Sequence, residues 1–103
     1  MKTYVVFGGS RGIGASLVSA LLKDGHRVVN VARKASEVEH QNLSFHSLDV
    51  LDDEWNSLPE MQEIHGLAYC PGSIDLKPLR RVMVKDMEEA MDINLYGALK
   101  AVQ

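Results

Sequence analysis

Cysteine is nearly missing from these 103 residues: Cys70 stands alone, so no disulfide can form within the chain. That excludes a cross-linked scaffold and suits a reducing compartment, with the cytoplasm as the expected location. Long apolar runs are missing too. The apolar stretch after Met1-Lys2-Thr3 is too short for a signal-peptide core, and far below the ~20 residues a membrane span needs. The expectation is a soluble protein with no membrane partner. Basic runs are equally scarce, and the net charge is -3, so nucleic-acid binding has no electrostatic footprint. His26, His40, His46 and His65 are scattered without short metal-ligand spacing, and no metal is expected. Repeats, low-complexity tracts and linkers are lacking, which leaves one domain, or part of one, over residues 1–103.

What is present is ordinary globular material, 46% hydrophobic and 24% charged, enough for a core without much margin. Thr3 to Phe7, TYVVF, reads as a strand buried on both faces. Ile13, Leu17 and Leu21, with Val18 and Leu22 beside them, form a helical stripe. Lys23 lies in the last turn and Gly25 where a left-handed cap falls. Arg27 to Ala32 reads as a second strand, and residues 33–42 as a polar loop. Leu43 to Leu48 alternates as a third strand. Asp52 to Gln62 suits a short helix interrupted by Pro59, with the acidic Asp52-Asp53-Glu54 at its start. Gly66 to Cys70 reads as a fourth strand stopped by Pro71-Gly72, and residues 73–83 as a loop. From Val84 to Gln103 the pattern is helical, with Met87, Met91, Leu95 and Leu99 at four-residue steps. Alternating strands and helices imply an α/β fold with a parallel sheet.

The segment FGGSRGIG, residues 7–14, sits between the first strand and the first helix. Glycines there let the backbone turn sharply and approach a ligand, while the helix N-terminus offers free N–H groups and a positive dipole end. The plainer alternative is a tight turn whose glycines only admit positive φ. The spacing is neither G-x-G-x-x-G nor a Walker loop, since no Gly-Lys-Ser/Thr follows. Gly8, Gly12 and Gly14 instead give G-x-x-x-G-x-G.

That pattern after a first strand resembles the short-chain dehydrogenase/reductase family. Asp49-Val50 is similar to the family's pair that contacts adenine, and Tyr69-Cys70-Pro71-Gly72 stands in the place of its Asn-Asn-Ala-Gly stretch. INLYG, residues 93–97, resembles its Asn-Leu-x-Gly segment and puts Asn94 at the catalytic asparagine. Phe7 departs from the family's frequent threonine, and Tyr69 and Cys70 replace the two asparagines, so the polar support of the central sheet must differ. The resemblance implies the cofactor half of a Rossmann-like doubly wound sheet with strand order 3-2-1-4. Such a sheet needs further strands, so the chain is expected to be the N-terminal part of a longer protein. Cofactor contacts are expected at Gly8, Ser10, Arg11, Gly12, Ile13, Gly14, Arg33, Asp49, Val50, Cys70 and Gly72.

In such folds an acid about 20 residues past the glycine motif selects NAD, and an arginine accommodates the 2′-phosphate of NADP. Arg33 and Lys34 follow the second strand, with no acid at that strand end, and Arg11 lies in the glycine loop. Two guanidinium groups suit phosphate oxygens, which points to NADP(H); the alternative is two solvated surface arginines. The family's tyrosine, lysine and serine have no matching positions here. YGALK, residues 96–100, has the Tyr-x-x-x-Lys spacing but lies two residues after Asn94 on the same helix, so it is read as a surface or interface pair. Cys70 reads as a small core residue rather than a nucleophile. The methionines at 83, 87 and 91 suit a core or a subunit interface. The resemblance further implies a homo-oligomer, dimer or tetramer, acting on a small carbonyl or alcohol substrate. A non-catalytic NADP(H)-binding module that signals through a protein partner is the alternative.

Overall fold

The computed structural model describes residues 1–51, 55, 58, 63–72 and 78–103. The helix expected over 52–62, with its acidic start and Pro59 break, lies largely outside the described residues, as does most of the loop from 73. Strand β1 (Thr3–Phe7) leads through the glycine loop into helix α1 (Gly12–Lys23). Strands β2 (Arg27–Ala32), β3 (Leu43–Ser47) and β4 (Gly66–Tyr69) follow. The chain then enters helix α2 (Val84–Met91), a π-helical stretch (Asp92–Tyr96) and helix α3 (Gly97–Val102).

The four strands are parallel in the order β3-β2-β1-β4. β1 and β2 are central, and their valines are buried on both faces. On one face Val6 and Val28 pack with Val18 and Leu22 of α1, which covers it. The other carries Val5, Phe7, Val29, Val31 and Leu48, against which Trp55, Leu58, Tyr69 and Ala101 pack. Helical elements thus lie on both faces, as in a doubly wound sheet. Among the described residues no helix is long and apolar enough to cross a membrane.

Two helices differ in detail from the sequence reading. The buried row of α1 is Gly14, Val18 and Leu22, whereas Ile13 is 84% exposed. The row is set by the side that Gly14 presses onto the loop, and hydrophobicity alone does not mark a glycine. The last helix is interrupted by its π-helical stretch rather than continuous. Gly25, with φ +83°, ends α1 in the left-handed conformation expected of it.

At the amino end of the sheet, Lys2 N–H donates to His26 Nδ1 (3.2 Å) and Thr3 N–H to His65 Nδ1 (3.0 Å). These two histidines hold the start of β1, opposite the glycine loop.

Candidate functional site

The strand register decides which residues meet. Phe7 pairs with Val31 and with Tyr69, and Ala32 pairs with Ser47. Gly8, Arg33, Asp49 and Cys70 follow these strand ends closely, so four separate segments arrive at the carboxyl edge of one sheet. In open α/β sheets that edge is where ligands bind.

The loop from Gly8 to Gly14 is tied down over its first three residues. Gly8 has φ +76° and donates its N–H to the Val31 carbonyl (2.8 Å). A Cβ on Gly8 would sit 3.0 Å from the Pro71 nitrogen, so the turn packs against the segment after β4. Gly9 N–H donates to Asn30 Oδ1 (2.9 Å), and a Cβ there would come within 2.6 Å of the same oxygen. Asn30 Nδ2 donates to Ser10 Oγ (3.1 Å), whose hydroxyl donates to the Lys34 carbonyl. Asn30 is 1% exposed, and its bond from Gly9 is buried, where leaving either group unpaired would cost most.

Asn30 is the residue the sequence reading missed. Its signal was a single amide within RVVNVA, an otherwise apolar strand. A buried polar residue needs a partner, and the partner is the loop.

Gly14 closes the loop onto itself. A Cβ there would overlap the Gly8 carbonyl and approach Gly9 Cα to 3.1 Å. Gly12 is different: its φ is +58°, and a Cβ would meet nothing within 4 Å. The N-terminus of α1 carries no side-chain cap from Arg11. The first N–H groups of a helix have no partner within it, and an N-terminus without a side-chain cap beside open space suits an anion such as a nucleotide pyrophosphate.

Ser10 also locates the arginines. Its bond to Lys34 joins the loop residue before Arg11 to the residue after Arg33, and Ser47 Oγ donates to the Arg33 carbonyl (3.3 Å). Both arginines are exposed at this edge. Beyond β3, buried Leu48 donates its N–H to Ala32 (2.9 Å), and Asp49 Oδ1 accepts from Leu51 N–H (3.0 Å). Asp49 and Val50 are half-buried beside them.

The side after β4 holds Cys70, Pro71 and Gly72. Cys70 packs against the α1-side core, and burial pushes its thiol pKa up, which disfavours the nucleophilic thiolate. Gly72 and Asn94 meet: a Cβ on Gly72 would lie 3.0 Å from Asn94 Oδ1. Asn94 is thereby brought to the same edge as the glycine loop. Burial also raises the pKa of Tyr69, whose hydroxyl donates to the Ile93 carbonyl. Lys100 of YGALK instead lies over the Trp55 ring, 5.9 Å from its centroid. Among the described residues no group of three or more His, Cys, Asp or Glu is placed to hold a metal ion.

Known proteins share this fold. The chain is 32% identical over 54 residues to a benzil reductase ((S)-benzoin forming) of Bacillus subtilis, covering 52% of this chain and 22% of that protein. Serine dehydrogenase of Escherichia coli superposes with a TM-score of 0.82 at 25% identity, over 97% of this chain and 52% of that one. A short chain dehydrogenase of Leptospira borgpetersenii, solved with bound NAD+, gives 0.77 at 21% identity, over 95% and 42%. The chain thus spans between about a fifth and a half of the length of these relatives. Residues 2–103 match the family model for short chain dehydrogenases, and the chain belongs to that family.

Proposed function

We propose that this chain supplies the cofactor site of an NADP(H)-dependent oxidoreductase that interconverts a carbonyl and an alcohol. One observation supports this above the rest: an uncapped helix N-terminus opens beside Gly12, within a loop locked to β2 through Asn30. The residues fit a dinucleotide. The N–H groups of Gly12, Ile13 and Gly14 would hold the pyrophosphate. Arg11 and Arg33 would grip the 2′-phosphate from two sides, since no acid stands at the end of β2. Asp49 and Val50 would flank the adenine, and Cys70 and Gly72 would line the nicotinamide side. Such a cofactor supplies the hydride. Asn94 would help hold the water through which the proton is relayed.

The exposed row Met87, Met91, Leu95 and Leu99 supports a homo-oligomer, dimer or tetramer, which light scattering would read. A cytoplasmic location is proposed with it, readable by fractionation.

The test is Arg33→Asp in the longest natural form of the protein, with cofactor fluorescence as the readout. NADPH affinity should fall at least about tenfold with NADH affinity held or improved, as expected for losing a charge-assisted pair. An unchanged preference for NADPH over NADH would remove the role given to Arg33. NADPH consumption against a panel of ketones and diketones, benzil first because one relative is named for it, then reads the reaction.

A further inference from the structure

Tyr69 ends β4 and pairs in register with Phe7. Its ring lies 5.9 Å from that of Phe7, within the core on that face. From there the hydroxyl reaches across to the last helix and donates to the carbonyl of Ile93. Ile93 lies within the π-helical stretch and immediately precedes Asn94. A π-helical turn is a wide, uncommon geometry that needs a local cause. Gly97 shows how closely the two elements fit. Any Cβ there would run into the Tyr69 hydroxyl and come within 3.0 Å of the Asp92 carbonyl. The helix is therefore wrapped around the phenol oxygen, with a glycine where the wrap is tightest. One residue along, Asn94 Oδ1 sits against Gly72, just past the end of β4.

We propose that Tyr69 is a positioning residue: its hydroxyl holds the π-helical turn open and so fixes Asn94 beside Gly72 at the reaction edge. This rests on the reading of Asn94 as part of the catalytic site. Tyr69 touches neither cofactor nor substrate in this role; it acts through the Ile93 carbonyl. Phenylalanine at position 69 keeps the ring and its packing but leaves that carbonyl without its donor, so the helix is free to relax and Asn94 to shift.

The experiment is Tyr69→Phe, in the longest natural form of the protein, assayed for kcat, KM and NADPH affinity together. kcat should fall about tenfold while KM and NADPH affinity hold, because a small displacement at the reacting centre acts on rate rather than binding. Gly97→Ala, which would displace the same hydroxyl, should lower kcat similarly, and the two losses should not add in the double variant. An unchanged kcat, additive losses, or a parallel fall in NADPH affinity and melting temperature would overturn the proposal in favour of simple packing. If the unaltered protein reduces no carbonyl, it is the proposed function that fails. The side-chain amide resonance of Asn94 then reads the inference by itself: a shift on Tyr69→Phe supports it, and an unmoved resonance overturns it.

Discussion

Gly12 and Gly14 are both glycines, for different physical reasons, and alanine should separate them. At Gly14 a Cβ would enter the Gly8 carbonyl, which is backbone and cannot swing aside. Gly14→Ala should lower stability by about 2–3 kcal/mol, as overpacking does. At Gly12 the space is open and only the positive φ resists a side chain. Gly12→Ala should cost about 1 kcal/mol of stability, yet weaken cofactor binding about tenfold or more by intruding on the space the pyrophosphate would use. Urea melts and a cofactor titration on each variant check the contrast; equal losses of binding at equal stability would contradict it. The same scale shows what a sequence conceals. The glycine spacing marked the loop, but only the fold assigns each glycine its job. Asn30 was visible as an amide among valines, while its partners Gly9 and Ser10 lie some 20 residues away and are brought to it by strand pairing.

At the scale of elements, β1 and β2 were legible as short β-branched runs, β3 by its alternation, and β4 as a short run between Gly66 and Pro71. β3 and β4 each end one residue earlier than read, at Ser47 and Tyr69. Helix α1 was legible as a helix, but its buried row was centred one residue off. Ile13 counts as strongly as Val18 in any hydrophobic pattern, although it stands at the open end of the loop. Leu22→Ala should therefore cost about 3 kcal/mol, a buried large-to-small change, and Ile13→Ala less than about 0.5 kcal/mol. Thermal melts of the two variants decide this, and similar losses would mean that the exposed position packs after all. The π-helical stretch was not legible. It depends on a tyrosine hydroxyl from β4, 24 residues earlier in the chain, and no helical period encodes that contact.

At the scale of the whole molecule, alternation of strands and helices carried the topology. Parallel strands require crossovers, and the order β3-β2-β1-β4 places every expected segment at one edge. The assembly of Gly8 to Gly14, Arg33, Asp49 and Cys70 to Gly72 at that edge follows from register rather than from distance along the chain, and Asn94 joins it through its approach to Gly72. Family membership is consistent with this assembly, and the choice between NAD and NADP rests on two exposed arginines and the lack of an acid at the end of β2. The most direct measurement is a fluorescence titration of the longest natural form of the protein with NADPH and with NADH. NADPH should bind at least about tenfold more tightly, the discrimination expected of charge-assisted bonds to one extra phosphate. Preference for NADH would contradict the arginine clamp while leaving the loop its role, and binding of neither by a folded protein would contradict the cofactor site itself.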